Sequence, residues 1–188
     1  MAKLFFRYAA MNAGKSTALL QVAHNYEERG HRVRLFTAMV DDRYGPGLIT
    51  SRLGPQRAAE MFGPETDFSA LLAADPGVAC VLVDEAQFLS KVQVWSLHEL
   101  AHVHNIPVIC YGIRTDFQGE LFPGSAALLG LADEMDEMKT ICDCGRKATM
   151  NMRVDAQDRK VVEGDQVEIG GNARYRAVCG KCFLTPRP

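Results

Sequence analysis

A mostly apolar pentapeptide, Leu4-Phe5-Phe6-Arg7-Tyr8, runs directly into Ala9-Ala10-Met11-Asn12-Ala13-Gly14-Lys15-Ser16-Thr17, and a helical pattern follows from Ser16 to Arg29, ending at Gly30. Strand, tight loop and helix in that order constrain the fold more than any other stretch of the chain. The loop matches the phosphate-binding pattern G-x-x-x-x-G-K-[ST], with Ala9 in place of the first glycine. Such a loop turns successive backbone N–H groups inward. The positive end of the helix adds to them, and together they cradle phosphates. Lys15 is placed to reach the β- and γ-phosphates, and the Ser16 hydroxyl to ligate Mg²⁺.

The rest of the first 140 residues fits that beginning. Val33–Phe36, Cys80–Val83 and Pro107–Tyr111 read as buried strands, while Phe68–Ala74 and Val92–His104 carry helical spacing. Short apolar strands separated by helices predict an α/β fold: a phosphate-loop NTPase-like parallel sheet with helices on both faces. Met39 to Gly54, rich in Asp, Gly and Pro, reads as one long loop. After Lys139 cysteine pairs, glycines and short alternating stretches take over. A nucleotide-binding domain over 1–140 and a small zinc-binding, β-rich lobe over 141–188 are therefore expected, with a frayed tail from Leu184.

Composition narrows the function. With 188 residues, a net charge of −2 and no basic excess, the chain is not built as a duplex-DNA binder. No apolar run approaches the roughly 20 residues of a membrane-spanning helix. Arg7 and Lys15 interrupt the apolar start, which reads as a core strand and not as a secretory signal. A cytoplasmic enzyme with neither nucleic-acid nor membrane partners is expected, and its six cysteines are not a disulfide framework. Cys80 and Cys110 lie in apolar runs, as small buried hydrophobes do. Cys142-Asp143-Cys144 and Cys179-Gly180-Lys181-Cys182 form a C-x-C…C-x-x-C set. Four thiolates around one tetrahedral Zn²⁺ make a closed structural site with no open position for catalysis.

Val81-Leu82-Val83-Asp84-Glu85 ends an apolar strand in two carboxylates. Asp84 emerges at the carboxyl edge of the sheet, where it can hold Mg²⁺, and Glu85 points elsewhere and can take a proton from an attacking hydroxyl. Asp84-Glu85-Ala86-Gln87 is similar to a helicase box, but a helicase motor needs a second lobe that the chain has no room for. An Asn-Lys-x-Asp guanine reader is missing, which argues against a GTPase. A small-molecule kinase fits the length. One competing signal remains: His98-Glu99-Leu100-Ala101-His102 spells the zinc-protease pattern H-E-x-x-H, but without an evident third ligand. A nucleic-acid-binding module built on the zinc lobe is the other alternative, and the charge balance disfavours it.

Tyr8 to Thr17, Asp41-Asp42-Arg43-Tyr44, Val83 to Phe88, Tyr111-Gly112 through Phe117 to Phe122, and Ile169 to Tyr175 resemble, in order and over nearly the whole chain, the type II (cytosolic-type) thymidine kinases. The resemblance implies transfer of the ATP γ-phosphate to the 5′-hydroxyl of thymidine, and of deoxyuridine, in nucleoside salvage. It implies that Ala9, Ala10, Met11, Asn12, Ala13, Gly14, Lys15 and Ser16 hold the ATP phosphates. Asp41, Asp42, Arg43, Asp84, Glu85, Ala86 and Gln87 complete the nucleotide site. Glu85 corresponds to the general base, Asp84 with Ser16 to the Mg²⁺ site, and Lys15 and Arg43 to the cations on the transferring phosphate. Met11, Ile113, Phe117 and Phe122 correspond to the nucleoside pocket. Gln166, Val167, Glu168, Ile169, Gly170 and Tyr175 correspond to a loop, set between the cysteine pairs, that closes over the base. Phe117 and Phe122 could equally be core packing. Gly170-Gly171 could be a hairpin turn or a close approach to the base. Feedback inhibition by dTTP and a homotetramer are further implications of the resemblance.

Overall fold

The computed structural model describes residues 1–40, 45–73, 75–167 and 174–186. Strand β1 (Leu4–Tyr8) enters the glycine-lysine loop, helix α1 (Lys15–Glu27) follows, and β2 (Arg32–Ala38) returns to the sheet. A short hairpin comes next, β3 (Leu48–Thr50) paired antiparallel with β4 (Gln56–Ala58), and then β5 (Glu60–Phe62) and α2 (Phe68–Ala73). Strand β6 (Val78–Val83), a 3₁₀ turn (Ala86–Phe88), α3 (Lys91–His102), β7 (Val108–Gly112), α4 (Pro123–Leu131) and β8 (Glu134–Glu137) complete this part. The sheet order is β5-β2-β6-β7-β1-β8, and every neighbouring pair is parallel.

The central strands are apolar throughout because helices cover both faces. Val81, Val83, Cys110 and Phe6 pack on one side with Val94, Leu97 and Leu100 of α3 and Leu128 of α4. Cys80, Leu82, Ile109 and Tyr111 point to the other side, against Leu19, Leu20 and Ala23 of α1. Each Val, Leu, Ile or Phe side chain among them contributes about 1.5–3 kcal/mol by leaving water. Cys80 and Cys110 are fully buried, and burial pushes the Cys80 thiol up to about 11 and that of Cys110 up as well. Both are inert core residues, as expected. Ser90 starts α3 with a capping box: its hydroxyl accepts from the Gln93 N–H while the Gln93 side chain accepts from the Ser90 N–H.

The structure adds elements that periodicity does not announce. The stretch expected to be one loop from Met39 to Gly54 contains β3, whose partner β4 lies just beyond it. Two parallel edge strands, β5 and β8, extend the sheet. Both are short, and β8 (Glu134-Met135-Asp136-Glu137) is mostly acidic, which suits an exposed edge and hides it from an apolar-run criterion. Helix α4 opens on Pro123-Gly124, a pair that reads locally as a turn although Pro at a first helical position is favourable.

Beyond residue 139, β9 (Thr140–Ile141) pairs with β10 (Lys147–Ala148), and β11 (Met150–Arg153) with β12 (Tyr175–Val178), before α5 (Gly180–Leu184). Ala148, Met152, Val154, Val178 and Phe183 form a small core with Cys142 and Cys179. Ala10 of the glycine-lysine loop packs into that same cluster. No described helix is long and apolar enough to cross a membrane.

Candidate active site

The carboxyl ends of β1, β6 and β7 converge, and the chemistry-bearing residues gather there. Within the loop after β1, positive φ is confined to Asn12 (65°) and Gly14 (79°). Alanine at position 9 therefore carries no left-handed strain, and its N–H donates to the Gly112 carbonyl at 3.2 Å, extending the sheet by one bond. The Lys15 ammonium donates to the Ala10 carbonyl at 3.2 Å, which folds it back over the loop. The Ser16 hydroxyl donates to Asp84 Oδ2 at 2.7 Å. Two oxygens in contact at that point, one of them a carboxylate, form an oxygen donor set suited to Mg²⁺.

Asp84 is 4% exposed. Burial first, and then the charge of Glu85, push its carboxyl up to about 7; the Ser16 hydroxyl, the Glu85 N–H and Lys15 pull the other way. Glu85 adopts φ 51°, the left-handed region, so its side chain leaves the strand line that Asp84 follows. That single dihedral gives two adjacent carboxylates different backbone settings. Gln87, 1% exposed, donates from Nε2 to Glu85 Oε2 at 2.5 Å and accepts the Ile113 N–H on Oε1 at 3.2 Å. Ala86 beside it is fully buried.

Ile113 directly follows β7, and its carbonyl accepts from the Ser125 hydroxyl at 2.6 Å. Phe122 is 4% exposed and meets Phe88 edge-on at 5.8 Å between centroids. Phe117 is 1% exposed, with the Arg153 guanidinium 3.8 Å from its ring centroid. Arg153 also donates through Nε and Nη2 to the Tyr175 hydroxyl at 2.8 and 2.5 Å. Gln166 donates from Nε2 to Asp116 Oδ2 at 2.9 Å, and Val167 is 40% exposed. Asp41, Asp42, Arg43, Glu168, Ile169 and Gly170 lie outside the described residues.

Three residues at this convergence carry no motif. Asn151 is buried and accepts the Met11 N–H on Oδ1 at 2.7 Å while Nδ2 donates to the Thr115 carbonyl at 3.1 Å. Arg153 lies two residues along the same strand. Asp116 accepts the backbone N–H groups of Gln118 and Glu120 on one oxygen and Gln166 on the other. The signal that could have found Asn151 and Arg153 is a pair of polar residues at period two in an otherwise apolar stretch, marking one face of β11.

The sulfurs of Cys142, Cys144, Cys179 and Cys182 all lie within 4.8 Å of one another, with Cys144 and Cys179 at 3.6 Å. Ligands about 2.3 Å from a tetrahedral zinc stand about 3.8 Å apart, so four sulfurs gathered this closely could hold Zn²⁺. Backbone N–H groups of Cys144 and Cys182 hold the Cys142 and Cys179 thiols below the usual range, which favours the thiolate a metal needs, while the Cys144 thiol and burial push Cys182 up to about 12. Among the described residues this is the one group of three or more potential ligands within reach of a common ion. His98 and His102 do share one face of α3, 4.3 Å apart between centroids, but His102 Nε2 is engaged with Asp133 Oδ2 at 3.0 Å. The H-E-x-x-H pattern is thus not a zinc-protease centre.

A glycine-lysine loop at the carboxyl edge of a parallel sheet, meeting an acidic pair that ends a strand one place removed across β7, defines a phosphate-loop nucleotide-binding protein. The family model described as thymidine kinase matches residues 2–183. A protein of Chromobacterium violaceum named thymidine kinase is 65% identical over 184 residues, covering 97% of this chain and 98% of its own. Proteins of the same name from Idiomarina loihiensis and Ruegeria pomeroyi are 59% and 57% identical, covering 96% of this chain and 95% and 93% of theirs. Among solved structures, the Pif1 helicase of Candida albicans overlaps with a TM-score of 0.43 and 15% identity over 74% of this chain and 36% of its own, too slight a likeness to carry an argument. The chain belongs to the thymidine kinase family and is a kinase.

Proposed function

We propose that the enzyme transfers the γ-phosphate of ATP to the 5′-hydroxyl of thymidine, and of deoxyuridine, giving the 5′-monophosphate and ADP in cytoplasmic pyrimidine salvage. The observation that carries this reading is the juxtaposition at the sheet edge. Ser16 and Asp84 meet at 2.7 Å, Lys15 folds over the loop beside them, and Glu85 is turned away by its own backbone. In this reading the loop from Ala9 to Ser16 holds the phosphates. Lys15 and Arg43 neutralise charge that develops on the transferring group, and Asp41 and Asp42 flank Arg43. Ser16 and Asp84 would hold Mg²⁺, which supplies charge neutralisation at the phosphate oxygens when bound. Glu85 accepts the proton of the attacking hydroxyl while Asp84 is engaged with Ser16, so the two carry different roles.

Met11 and Ile113 line the nucleoside side of the site with Phe117 and Phe122. The segment from Gln166 to Gly170, with Tyr175, closes over the base. Two contacts support a closing role: Gln166 reaches Asp116, and Tyr175 is held by Arg153. Zinc on the four cysteines is structural and ties both ends of that segment, with 1–140 as the nucleotide-binding domain and 141–188 as the zinc-binding lobe. Inhibition by dTTP and assembly into homotetramers belong to the same reading.

Glu85→Gln tests it. The variant keeps size and hydrogen bonding but cannot accept a proton, so kcat is expected to fall by about 10²–10⁴. The KM values for ATP and thymidine and the melting temperature should stay near wild type. Undiminished kcat would remove Glu85 from the chemistry.

A further inference from the structure

We propose that Gln87 is a positioning residue that fixes the Glu85 carboxylate and the Ile113 wall of the nucleoside pocket as one unit; this rests on the reading of Glu85 as the base. Gln87 spends both ends of its amide inside the protein, toward Glu85 Oε2 and the Ile113 N–H. A carboxylate needs a donor and a peptide N–H needs an acceptor, so one amide orientation alone satisfies both partners. The Ile113 peptide is held on its other side as well, since the fully buried Ser125 hydroxyl donates to its carbonyl at 2.6 Å. Glu85, Gln87, Ile113 and Ser125 thus form one hydrogen-bonded chain from the base to the pocket wall.

The surroundings leave this chain no slack. A Cβ on Gly112 would stand 2.9 Å from Gln87 Oε1 and 3.1 Å from its backbone nitrogen. A Cβ on Gly124 would stand 2.4 Å from the Ala86 carbonyl oxygen and 2.8 Å from those of Gln87 and Leu89. Two glycines therefore let β7 and α4 close onto the 3₁₀ turn and clamp it. The choice of an amide also has a chemical reason. A Lys or Arg at this point would hold Glu85 in place but lower its proton affinity, whereas a neutral donor orients it at smaller cost to its basicity. Gln87, 1% exposed, carries this role with its side-chain amide, beside the nucleotide contact that the family resemblance implies.

A double-mutant cycle on zinc-loaded enzyme tests the coupling, with kcat and thymidine KM read separately. Gln87→Met keeps the volume and removes both bonds. It is expected to lower kcat by about 10–100-fold, as a displaced reacting group does, and to raise the thymidine KM because Ile113 loses its acceptor. In a Glu85→Gln background the same change should cost no further kcat. Gln87→Glu retains an acceptor for Ile113, so it should leave the thymidine KM near wild type while lowering kcat. It replaces methionine in the cycle if that variant does not fold. Losses in kcat that multiply to within about twofold in the two backgrounds would overturn the coupling while leaving Glu85 as the base. So would a Gln87→Met kcat equal to wild type. A Glu85→Gln enzyme of full activity would instead overturn the base assignment, and the positioning role with it.

Discussion

Asp84 and Glu85 are neighbours in sequence and opposites in environment. Asp84 continues the strand, sinks beneath the loop and is pushed up to about 7, mainly by burial. Glu85 turns into the left-handed region and is met by an amide donor. A left-handed non-glycine residue costs of order 1–3 kcal/mol, and here the strain takes Glu85 off the strand path that Asp84 follows. An unfolded aspartate ionises near 3.9. Between roughly pH 4 and pH 7 the folded protein therefore holds a proton that the unfolded chain has released, so stability falls as pH rises through that window. Without Mg²⁺ or nucleotide, Asp84→Asn should flatten this part of the pH–stability curve, read as denaturant midpoint against pH. Parallel curves for the two proteins would show that Asp84 is ionised throughout. At this scale the acidic pair and the Lys15-Ser16 pair were legible in the sequence, because each is a short pattern whose chemistry depends on adjacent residues. Asn151 and Arg153 were not. Their meaning comes from what folding brings against them, the Met11 N–H and the Phe117 ring, more than thirty residues away in the chain.

Among the elements, those with an apolar run or a helical stripe were readable to within a few residues: β1, β2, β6, β7, α1, α2 and α3. The elements that escaped are short or locally ambiguous. Acidic β8 and three-residue β5 are edges, which need no apolar run on both faces. The β3–β4 hairpin is held by tertiary partners: Ser51 meets Thr17 at 2.6 Å, and Arg57 forks onto Glu27 with two contacts of 2.7 Å. The cysteine pairs were readable because tetrahedral thiolate ligation imposes its own spacing. Zinc belongs to this scale, since it would join the β9–β10 turn to the start of α5. One zinc per chain is expected by elemental analysis. Its removal by a chelator should raise the thymidine KM and open the segment between the cysteine pairs to proteolysis. Unchanged thymidine affinity in verified zinc-free protein would contradict that role.

For the whole molecule, the decisive arrangement is that the small cysteine-rich core and the glycine-lysine loop share residues. Ala10 packs into that core, and the Asn151 side chain reaches across to the Met11 N–H and the Thr115 carbonyl. The glycine-lysine loop and the segments proposed for the nucleoside are therefore built against one another, as a transfer between two bound substrates requires. The measurement that tests this account most directly is transfer from labelled ATP, with Mg²⁺, to each of the four deoxynucleosides and uridine. Phosphorylation of thymidine and deoxyuridine with little on the purines is the predicted result. Protein that binds ATP and carries one zinc but phosphorylates none of them would contradict it.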